Sequence, residues 1–240
     1  MKKSNYTSIE NIIRLAKNGK MFILVDDEKR ENEGDLVISS SDSNAQNINF
    51  MAKYGRGLIC LAMDNSQAKK LDLPPMSLVN ESRNQTAFTV SIEAKKGITT
   101  GISAKDRALT IKIASKKNVN KKDIVSPGHV FPIIAKDGGV LVRAGHTEAS
   151  VDISKLAKKN NSAVICEIMN EDGSMAKGQD LFNFAEKHNL KIGKIEDLIS
   201  YRLNKEKLIK LKKTSEIEVK NKKYKIKIYE NLLDGSEHFA

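Results

Sequence analysis

Short apolar runs alternate with stretches of helical periodicity along most of the chain. The run at 21–25 (MFILV) has no polar position, which is typical of a strand buried on both faces. Ile9, Ile12 and Ala16 instead recur at spacings of three and four residues, which predicts a helix that ends near Asn18. The same patterns predict strands at 21–25, 35–40, 58–63, 88–93, 130–135, 140–142 and 163–169. They predict helices at 9–18, 44–54, 103–114, 148–159 and 179–188. Because strands and helices interleave, the chain should form a layered domain of the α/β or α+β class.

Two segments between these elements follow neither pattern. Residues 26–35 (DDEKRENEGD) lie between two predicted strands and are rich in carboxylates. Residues 72–86 contain two of the four prolines and should form a long ordered loop. Long loops in a compact domain are more often functional than accidental, so both segments are candidate parts of a site.

The composition fits a large globular domain with a short appendage. The chain has 240 residues, of which 40% are hydrophobic and 30% charged, and it can bury a core without disulfides. Cys60 and Cys166 lie inside apolar runs, so we predict two buried thiols and a cytoplasmic protein. No apolar stretch approaches the roughly 18 residues of a membrane span. Residues 1–13 lack the apolar core of a signal peptide.

The net charge of +11 invites a nucleic-acid hypothesis. However, the positive residues are mostly scattered lysines, aromatic residues make up 5% of the chain, and tryptophan is absent. Phosphate and base recognition favour arginine, and binding of single strands needs aromatic side chains. We therefore predict a solvated, lysine-rich surface with no nucleic-acid or membrane partner. A small phosphorylated metabolite would still be attracted by the positive field.

Three groups of polar residues could carry chemistry. The carboxylates of 26–35 repel one another unless a cation lies among them, and oxygen ligands suit Mg²⁺ or Mn²⁺; a solvated acidic turn is the alternative. His129 and His146 each follow a glycine, and His146 opens a helix whose amides, with Arg143, could bind phosphate, although a lone histidine is more often structural. Glu167 lies in an apolar strand, where it serves either proton transfer or a buried ion pair with an arginine.

Five long motifs occur in an order that resembles one enzyme family. They are DDEKRENEGD, GLICLAM, the segment 82–111, the segment 126–157 and AVICEIMNEDGSMA. Spanning roughly residues 6–202, they resemble 3,4-dihydroxy-2-butanone-4-phosphate synthase of riboflavin biosynthesis. The resemblance implies an α+β fold, a layered single domain of the α/β/α type, working as a homodimer. It implies a lyase that converts the sugar phosphate D-ribulose 5-phosphate to L-3,4-dihydroxy-2-butanone 4-phosphate and formate. The implied cofactor is Mg²⁺ or Mn²⁺, up to two ions per site, which stabilises enediolate intermediates.

The resemblance also implies roles for single positions. Glu31 and His146 match the family's metal ligands. His129 and Glu167 match side chains essential for turnover, and the implied catalytic residues are His129, Glu167, Glu33 and Asp35. The implied substrate contacts are Arg30, Glu31, Asp35, Arg143, Ala144, Gly145, His146, Thr147 and Glu167. Of these, Arg143 and Thr147 should face the phosphate. Because all of these positions match the family's pattern, an inactive relative that serves as a binding module is the weaker alternative.

Residues 203–240 differ from the rest of the chain in composition. They are rich in lysine, and KYKIKIYE (223–230) alternates as a strand. This tail resembles the start of GTP cyclohydrolase II, which is fused behind the synthase in bifunctional riboflavin enzymes, but it has none of that family's zinc cysteines. We predict a synthase domain at 1–202 and an incomplete, non-functional tail at 203–240. The tail should be weakly ordered or docked through Tyr224, Ile226 and Ile228.

Overall fold

A computed structural model describes residues 6–240. Residues 1–5 lie outside the described part; they belong to the N-terminal segment that, by its sequence, lacks the apolar core of a signal peptide. One sheet contains β1 (Phe22–Val25), β2 (Gly34–Ser39), β3 (Cys60–Met63), β4 (Ile92–Ala94), β5 (Ile124–Ile134), β6 (Ser162–Glu167) and β7 (Ile192–Lys194). The helices are α1 (Ile9–Lys17), α2 (Ala45–Phe50), α3 (Asn65–Leu71), α4 (Ala104–Ala114), α5 (His146–Leu156), α6 (Gln179–His188) and α7 (Ile195–Lys205). The sheet is mixed, and its strand order is β4-β5-β3-β6-β2-β1-β7.

Helices cover both faces of this sheet. Ile23 and Leu36 belong to a core cluster that includes residues of α2, α3, α4 and α6. Phe22 and Val37, their neighbours along β1 and β2, belong to a second cluster with α1, α5 and α7. The two clusters arise because successive side chains of a strand point to opposite faces, and each apolar face needs its own cover. The predicted α+β fold with α/β/α layers is confirmed.

Two further predictions can be compared with the structure directly. Cys60 and Cys166 are buried and unpaired, as their apolar surroundings predict. Among residues 6–240, none of the helices combines the length and the apolar character that crossing a membrane requires.

The predicted strand at 140–142 is wrong. Gly139–Leu141 form a single 3₁₀ turn, and Gly138 and Gly139 have φ values of +88° and +64°. These left-handed conformations turn the chain away from the sheet. The Val140 N–H then bonds to Asp152 Oδ2 of α5 at 2.9 Å instead of to a neighbouring strand. Of the three apolar residues, Val140 is buried but Val142 is 54% exposed, so the triplet belongs to a connection and not to a strand.

The other differences concern short or weakly patterned elements. In place of the predicted strand at 88–93, the structure has the shorter β4, which begins at Ile92. The N–H groups of Thr89 and Val90 bond to two different segments, at the carbonyls of Pro132 and Pro74, so these residues do not continue one ladder. The apolar patterns do not predict α3, β7 or α7. In α3, only Ala68 and Leu71 are apolar, too few for a recognisable helical face.

The tail forms a separate antiparallel sheet of three strands, β8 (Ile209–Val219), β9 (Lys222–Asn231) and β10 (Glu237–Phe239), in the order β10-β9-β8. β9 contains the predicted strand KYKIKIYE. However, α7 crosses the predicted domain boundary at 202/203. Arg202 donates to Asp152 Oδ2 at 2.7 Å and to both carboxylate oxygens of Glu206, so Glu206 still belongs to the packing of the first domain.

Candidate active site

Two carboxylates lie side by side at one end of the central strands β2 and β6. Asp35 of β2 pairs with Glu167, the last residue of β6, so both side chains extend from one face, which α5 covers. Asp35 is 4% exposed, and burial, reinforced by the Glu167 charge, raises its pKa well above the ordinary value. Burial also raises the pKa of Glu167, whose Oε2 accepts the Leu58 N–H at 2.8 Å. The pair can therefore retain a proton at a pH where exposed carboxylates are ionised.

Glu167 does not form the buried ion pair that the sequence left open as an alternative. Within residues 6–240, the arginine ion pairs join Arg30, Arg56, Arg143 and Arg202 to other carboxylates. The Glu167 carboxylate is held by a backbone amide instead, which leaves it without a fixed counter-charge. A partly buried carboxylate of this kind is typical of a functional group.

The imidazole of His146 lies beside these carboxylates, at the beginning of α5. Gly145 is the N-cap of the helix and His146 its first residue. His146 Nδ1 is 3.9 Å from Glu31 Oε2, and Nε2 is buried with no hydrogen-bond partner among the described residues. Burial lowers the His146 pKa, so the neutral imidazole, which can offer a lone pair to a metal, is favoured. Thr147, the next residue, is also buried.

The acidic segment folds around the Asp26 carboxylate. Its Oδ2 accepts Arg30 Nη1 at 2.6 Å and the Glu31 N–H at 3.3 Å, while Oδ1 accepts the Glu33 N–H at 3.0 Å. The Asp26 side chain is 1% exposed, so the alternative of a solvated acidic turn does not describe this residue. These bonds turn the segment back on itself and direct Glu31 toward His146.

Asp26, Glu31 and His146 each present one ligand atom, and these atoms all lie within 4.8 Å of one another. The structure thus brings together the two predicted ligands, Glu31 and His146, and adds Asp26, which the sequence analysis did not single out. Asp26 follows the buried strand β1 directly, and this position is a sequence signal from which it could have been predicted as a ligand. Two carboxylates and a neutral imidazole with an unpartnered, buried nitrogen fit a divalent cation that accepts oxygen ligands.

The loop at 72–86 reaches this cluster through Asn84, which donates its side-chain amide to Glu31 Oε1. The Asn84 carbonyl also accepts Arg143 Nη2 at 3.1 Å. The loop is irregular, as predicted, and supplies a site contact that no sequence pattern indicates. The contact joins residues 53 positions apart, so only the tertiary fold makes it.

The predicted phosphate residues surround the N-terminus of α5. Arg143 Nη1 lies 2.7 Å from Glu148 Oε2, a carboxylate that is 1% exposed and whose Oε1 accepts the Lys136 N–H at 3.0 Å. Ala144 is exposed, and the Gly145 N–H bonds to the Arg143 carbonyl at 2.8 Å, which forms a tight turn into the helix. The guanidinium is thus held by a buried carboxylate beside free helix amides, an arrangement that suits an anion.

Two further predicted residues lie on the outer side of the acidic segment. Arg30 Nη1 is 2.8 Å from Glu31 Oε2, in addition to its bond with Asp26. Glu33 Oε1 is 3.6 Å from Lys177 Nζ, and the same ammonium donates to the Glu31 carbonyl at 2.9 Å. Lys177 therefore ties the segment to the residues that precede α6, a role that the sequence analysis did not assign.

His129 lies farther along the sheet and makes no direct contact with this cluster among the described residues. β5 is two strands away from β6, so at a strand spacing of about 4.8 Å its backbone lies at least roughly 10 Å from that of Glu167. Its Nδ1 pairs with Glu93 Oε1 of β4. Within residues 6–240, no hydrogen bond or ion pair joins His129 to Glu31, Asp35 or His146.

Comparisons with known proteins agree on one family. Residues 10–201 match the family model described as 3,4-dihydroxy-2-butanone 4-phosphate synthase. A protein of that name from Helicobacter pylori is 58% identical over 205 residues, which cover 85% of this chain and 59% of that protein. The riboflavin biosynthesis protein RibBA of Aquifex aeolicus is 51% identical over 237 residues, covering 98% of this chain and 58% of that protein. The chain thus spans less than two thirds of the length of these relatives.

Solved structures show the same relationship. A two-domain 3,4-dihydroxy-2-butanone 4-phosphate synthase from A. baumannii, RibBX, has a TM-score of 0.89 at 44% identity and covers 98% of this chain and 69% of its own. A synthase described in complex with two magnesium ions has a TM-score of 0.80 at 37% identity, covering 83% of this chain and 98% of its own. By its sequence and by its structure, the chain belongs to the 3,4-dihydroxy-2-butanone 4-phosphate synthase family.

Proposed function

We propose that this chain is a lyase that converts D-ribulose 5-phosphate to L-3,4-dihydroxy-2-butanone 4-phosphate and formate, a step of riboflavin biosynthesis. The observation that carries the proposal is the convergence of Asp26, Glu31 and His146 beside the buried Asp35 and its partly buried partner Glu167. A cation site and a proton-holding carboxylate pair are both needed to remove a proton next to a ketose carbonyl. Membership of the family supports the same activity.

In this proposal the divalent ion is Mg²⁺ or Mn²⁺, with up to two ions per site, held by Glu31 and His146 and also by Asp26. When bound, such an ion stabilises negative charge on the oxygens of the sugar as a Lewis acid. The relative that is described in complex with two magnesium ions supports Mg²⁺. The donor set supports it as well, because carboxylate oxygens are ligands that Mg²⁺ prefers.

The chain's own residues would bind the substrate and move protons. Arg143, Thr147 and the backbone at Ala144–His146 would hold the phosphate at the start of α5, where the helix dipole favours an anion. Arg30 and Glu33 would contact the sugar hydroxyls from the acidic segment.

Proton transfer is proposed for the carboxylate pair and for His129. Asp35, whose pKa is raised more strongly, would keep a proton, and Glu167 would act as the base. His129 would exchange a second proton. Its pairing with Glu93 leaves the other ring nitrogen, Nε2, available for this step.

We also propose a homodimer with the sites near the interface. Leu78 and Val79 are 98% and 70% exposed, and they belong to the same loop as Asn84, which bonds to Glu31. Apolar side chains this exposed are favoured at contacts between subunits. A second copy that covers this loop would hold Asn84 against the site.

For the domains, we propose a synthase domain at 1–202 and a tail at 203–240 that resembles part of a GTP cyclohydrolase II-like unit. None of the residues assigned to substrate or metal lies in the tail. The packing of Glu206 on Arg202 favours a boundary a few residues later than 202. Because residues 203–240 contain no cysteine that could bind the zinc of that enzyme, these 240 residues should show no GTP cyclohydrolase activity.

The test is formate release from D-ribulose 5-phosphate, measured with Mg²⁺ and with EDTA. Glu31→Gln and His146→Ala should each lower turnover by more than about a hundred-fold, because direct ligands contribute more than the 10- to 100-fold of their hydrogen-bond partners. Glu28→Gln is the matched control: it makes the same change in the same segment, at an exposed residue outside the cluster. Unchanged turnover in EDTA, or full activity of either ligand variant, would contradict the proposal.

A further inference from the structure

A second histidine–carboxylate pair lies outside the metal cluster, where β4 meets β5. His129 Nδ1 and Glu93 Oε1 are in hydrogen-bond contact. The Glu93 side chain is 16% exposed and that of His129 43%, so the carboxylate is covered while the imidazole keeps a solvent-facing side. This is the arrangement expected of a carboxylate that orients a working imidazole, and not of a surface ion pair between two mobile side chains.

The backbone ladder between β4 and β5 is irregular at this pair. Ile92 pairs with Val130, but the next residue, Glu93, pairs with Val125, so β5 advances five residues while β4 advances one. The extra residues of β5 include His129. Bulges of this kind redirect side chains and are frequent next to active sites. A regular ladder would pair Glu93 with His129; the bulge pairs it with Val125 instead, and the Glu93 side chain still bonds to the imidazole.

Two glycines leave the space that the Glu93 side chain occupies. A Cβ atom at Gly128 would overlap the Glu93 side chain and the Ile92 backbone, and one at Gly101 would overlap the Glu93 carboxylate and approach His129 Nδ1. Gly101 has a φ of +86°, which other residues rarely adopt. The position of the carboxylate therefore depends on three separate segments of the chain.

The segment that contains Gly101 is itself held in place. Asp106 of α4 accepts the Gly101 N–H at 3.2 Å and the Thr99 hydroxyl at 2.7 Å. The Ser103 hydroxyl caps the same helix by accepting the Asp106 N–H at 3.0 Å. The cover over Glu93 is thus anchored to a helix, which keeps the carboxylate partly shielded from water and strengthens its bond to the imidazole.

We infer that Glu93 is a positioning residue for the reaction, acting through His129. The carboxylate accepts the Nδ1–H and so holds the neutral ring with a free lone pair on Nε2, the nitrogen that exchanges the substrate proton. When Nε2 takes up a proton, the same carboxylate stabilises the resulting imidazolium. The inference rests on the proposed function in one respect, namely that His129 exchanges a proton with the substrate.

The pairing itself can be tested without activity. Nitrogen-15 spectra of histidine-labelled protein at alkaline pH, where imidazoles are neutral, report which ring nitrogen carries the proton. The His129 signals are assigned by their loss in His129→Asn. Wild type should show the Nδ1–H form, whereas Glu93→Gln should shift His129 toward the Nε2–H form that a free imidazole favours. An Nε2–H ring in wild type, or no change in Glu93→Gln, would overturn the inference.

The catalytic consequence is tested by a double-mutant cycle on formate release. Glu93→Gln should lower kcat about 10- to 100-fold with little change in KM, since Glu93 does not touch the substrate. In a His129→Asn background the same change should have no further effect on kcat, because Glu93 acts through the His129 imidazole and this variant lacks it. An equal loss in both backgrounds would show that Glu93 acts independently of His129 and would overturn the inference.

A failure of the proposed function has a different signature. Full activity of His129→Asn would reject the catalytic role of His129 and, with it, the effect of Glu93 on turnover, whatever the tautomer. Glu186→Gln, an isosteric change at an exposed glutamate of α6, is the control for both measurements and should leave tautomer and kcat unchanged.

Discussion

At the scale of a single residue, the buried Asp35 carboxylate lowers the free energy of unfolding at neutral pH, although it provides the group proposed for proton transfer. Burial and the Glu167 charge raise its pKa, so the folded state binds a proton that the unfolded state has released once the pH exceeds about 3.9. The free energy of unfolding therefore falls as the pH rises through the window between the unfolded and the folded pKa. Above that window the buried carboxylate is ionised, and its reduction of the free energy of unfolding has reached its maximum.

Asp35→Asn should accordingly raise the free energy of unfolding at neutral pH while it abolishes formate release. The gain should vanish below the unfolded pKa, because both variants are then uncharged at this position. Urea denaturation as a function of pH, in EDTA so that no bound ion contributes, measures the difference. Glu28→Gln should leave stability and its pH dependence unchanged, and an Asp35→Asn variant less stable than wild type at neutral pH would contradict the prediction.

At the scale of elements, the end of α7 decides where the first domain stops. Arg202 is 9% exposed and is held by Asp152 of α5, the Gly138 carbonyl and both oxygens of Glu206. A cut after Arg202 removes Glu206 and the last turn of the helix, whereas a cut after Lys207 keeps both. The two truncated chains therefore differ in whether Glu206 is present to bond the nearly buried guanidinium of Arg202.

The chain 1–207 should retain formate release and the stability of the first domain. The chain 1–202 should unfold about 1–3 kcal/mol more easily, the usual worth of hydrogen bonds to a charged group. Urea denaturation compares the two, and Glu206→Gln in the full chain should lose part of the same free energy without any truncation. Equal stability of 1–202 and 1–207 would show that Glu206 contributes nothing; loss of activity in 1–207 would show that the tail sheet supports the site.

At the scale of the whole molecule, the exposed apolar side chains of the loop 72–86 support the proposed homodimer, in which a second copy of the chain would cover them. Light scattering at micromolar concentration should give about twice 26.6 kDa. Replacing both Leu78 and Val79 by serine should weaken the dimer and lower formate release together, because the loop also carries Asn84. Leu203→Ser, at an α7 residue that is 55% exposed, is the control. A fully active monomer would contradict the homodimer.

Local sequence signals predict β1, α1 and α6. The fully apolar run marks β1 as a strand buried on both faces, whereas α1 and α6 are recognised by their helical spacing, because each of these helices buries one face and exposes another. Val140–Val142 shows the limit of this argument. An apolar triplet has no period, and two left-handed glycines place it in a turn.

The candidate site divides in the same way. Glu31, Asp35, His146 and Glu167 could be predicted, because a charged residue in an apolar or glycine-rich context is unusual and because the motifs resemble a known family. Asp26 as a third ligand, Asn84 on Glu31 and Glu93 on His129 could not. These contacts depend on strand order, on the pairing of β4 with β5 and on a loop that packs across the sheet. No local pattern encodes such placements, since they result from the way in which the whole chain buries its apolar faces at once.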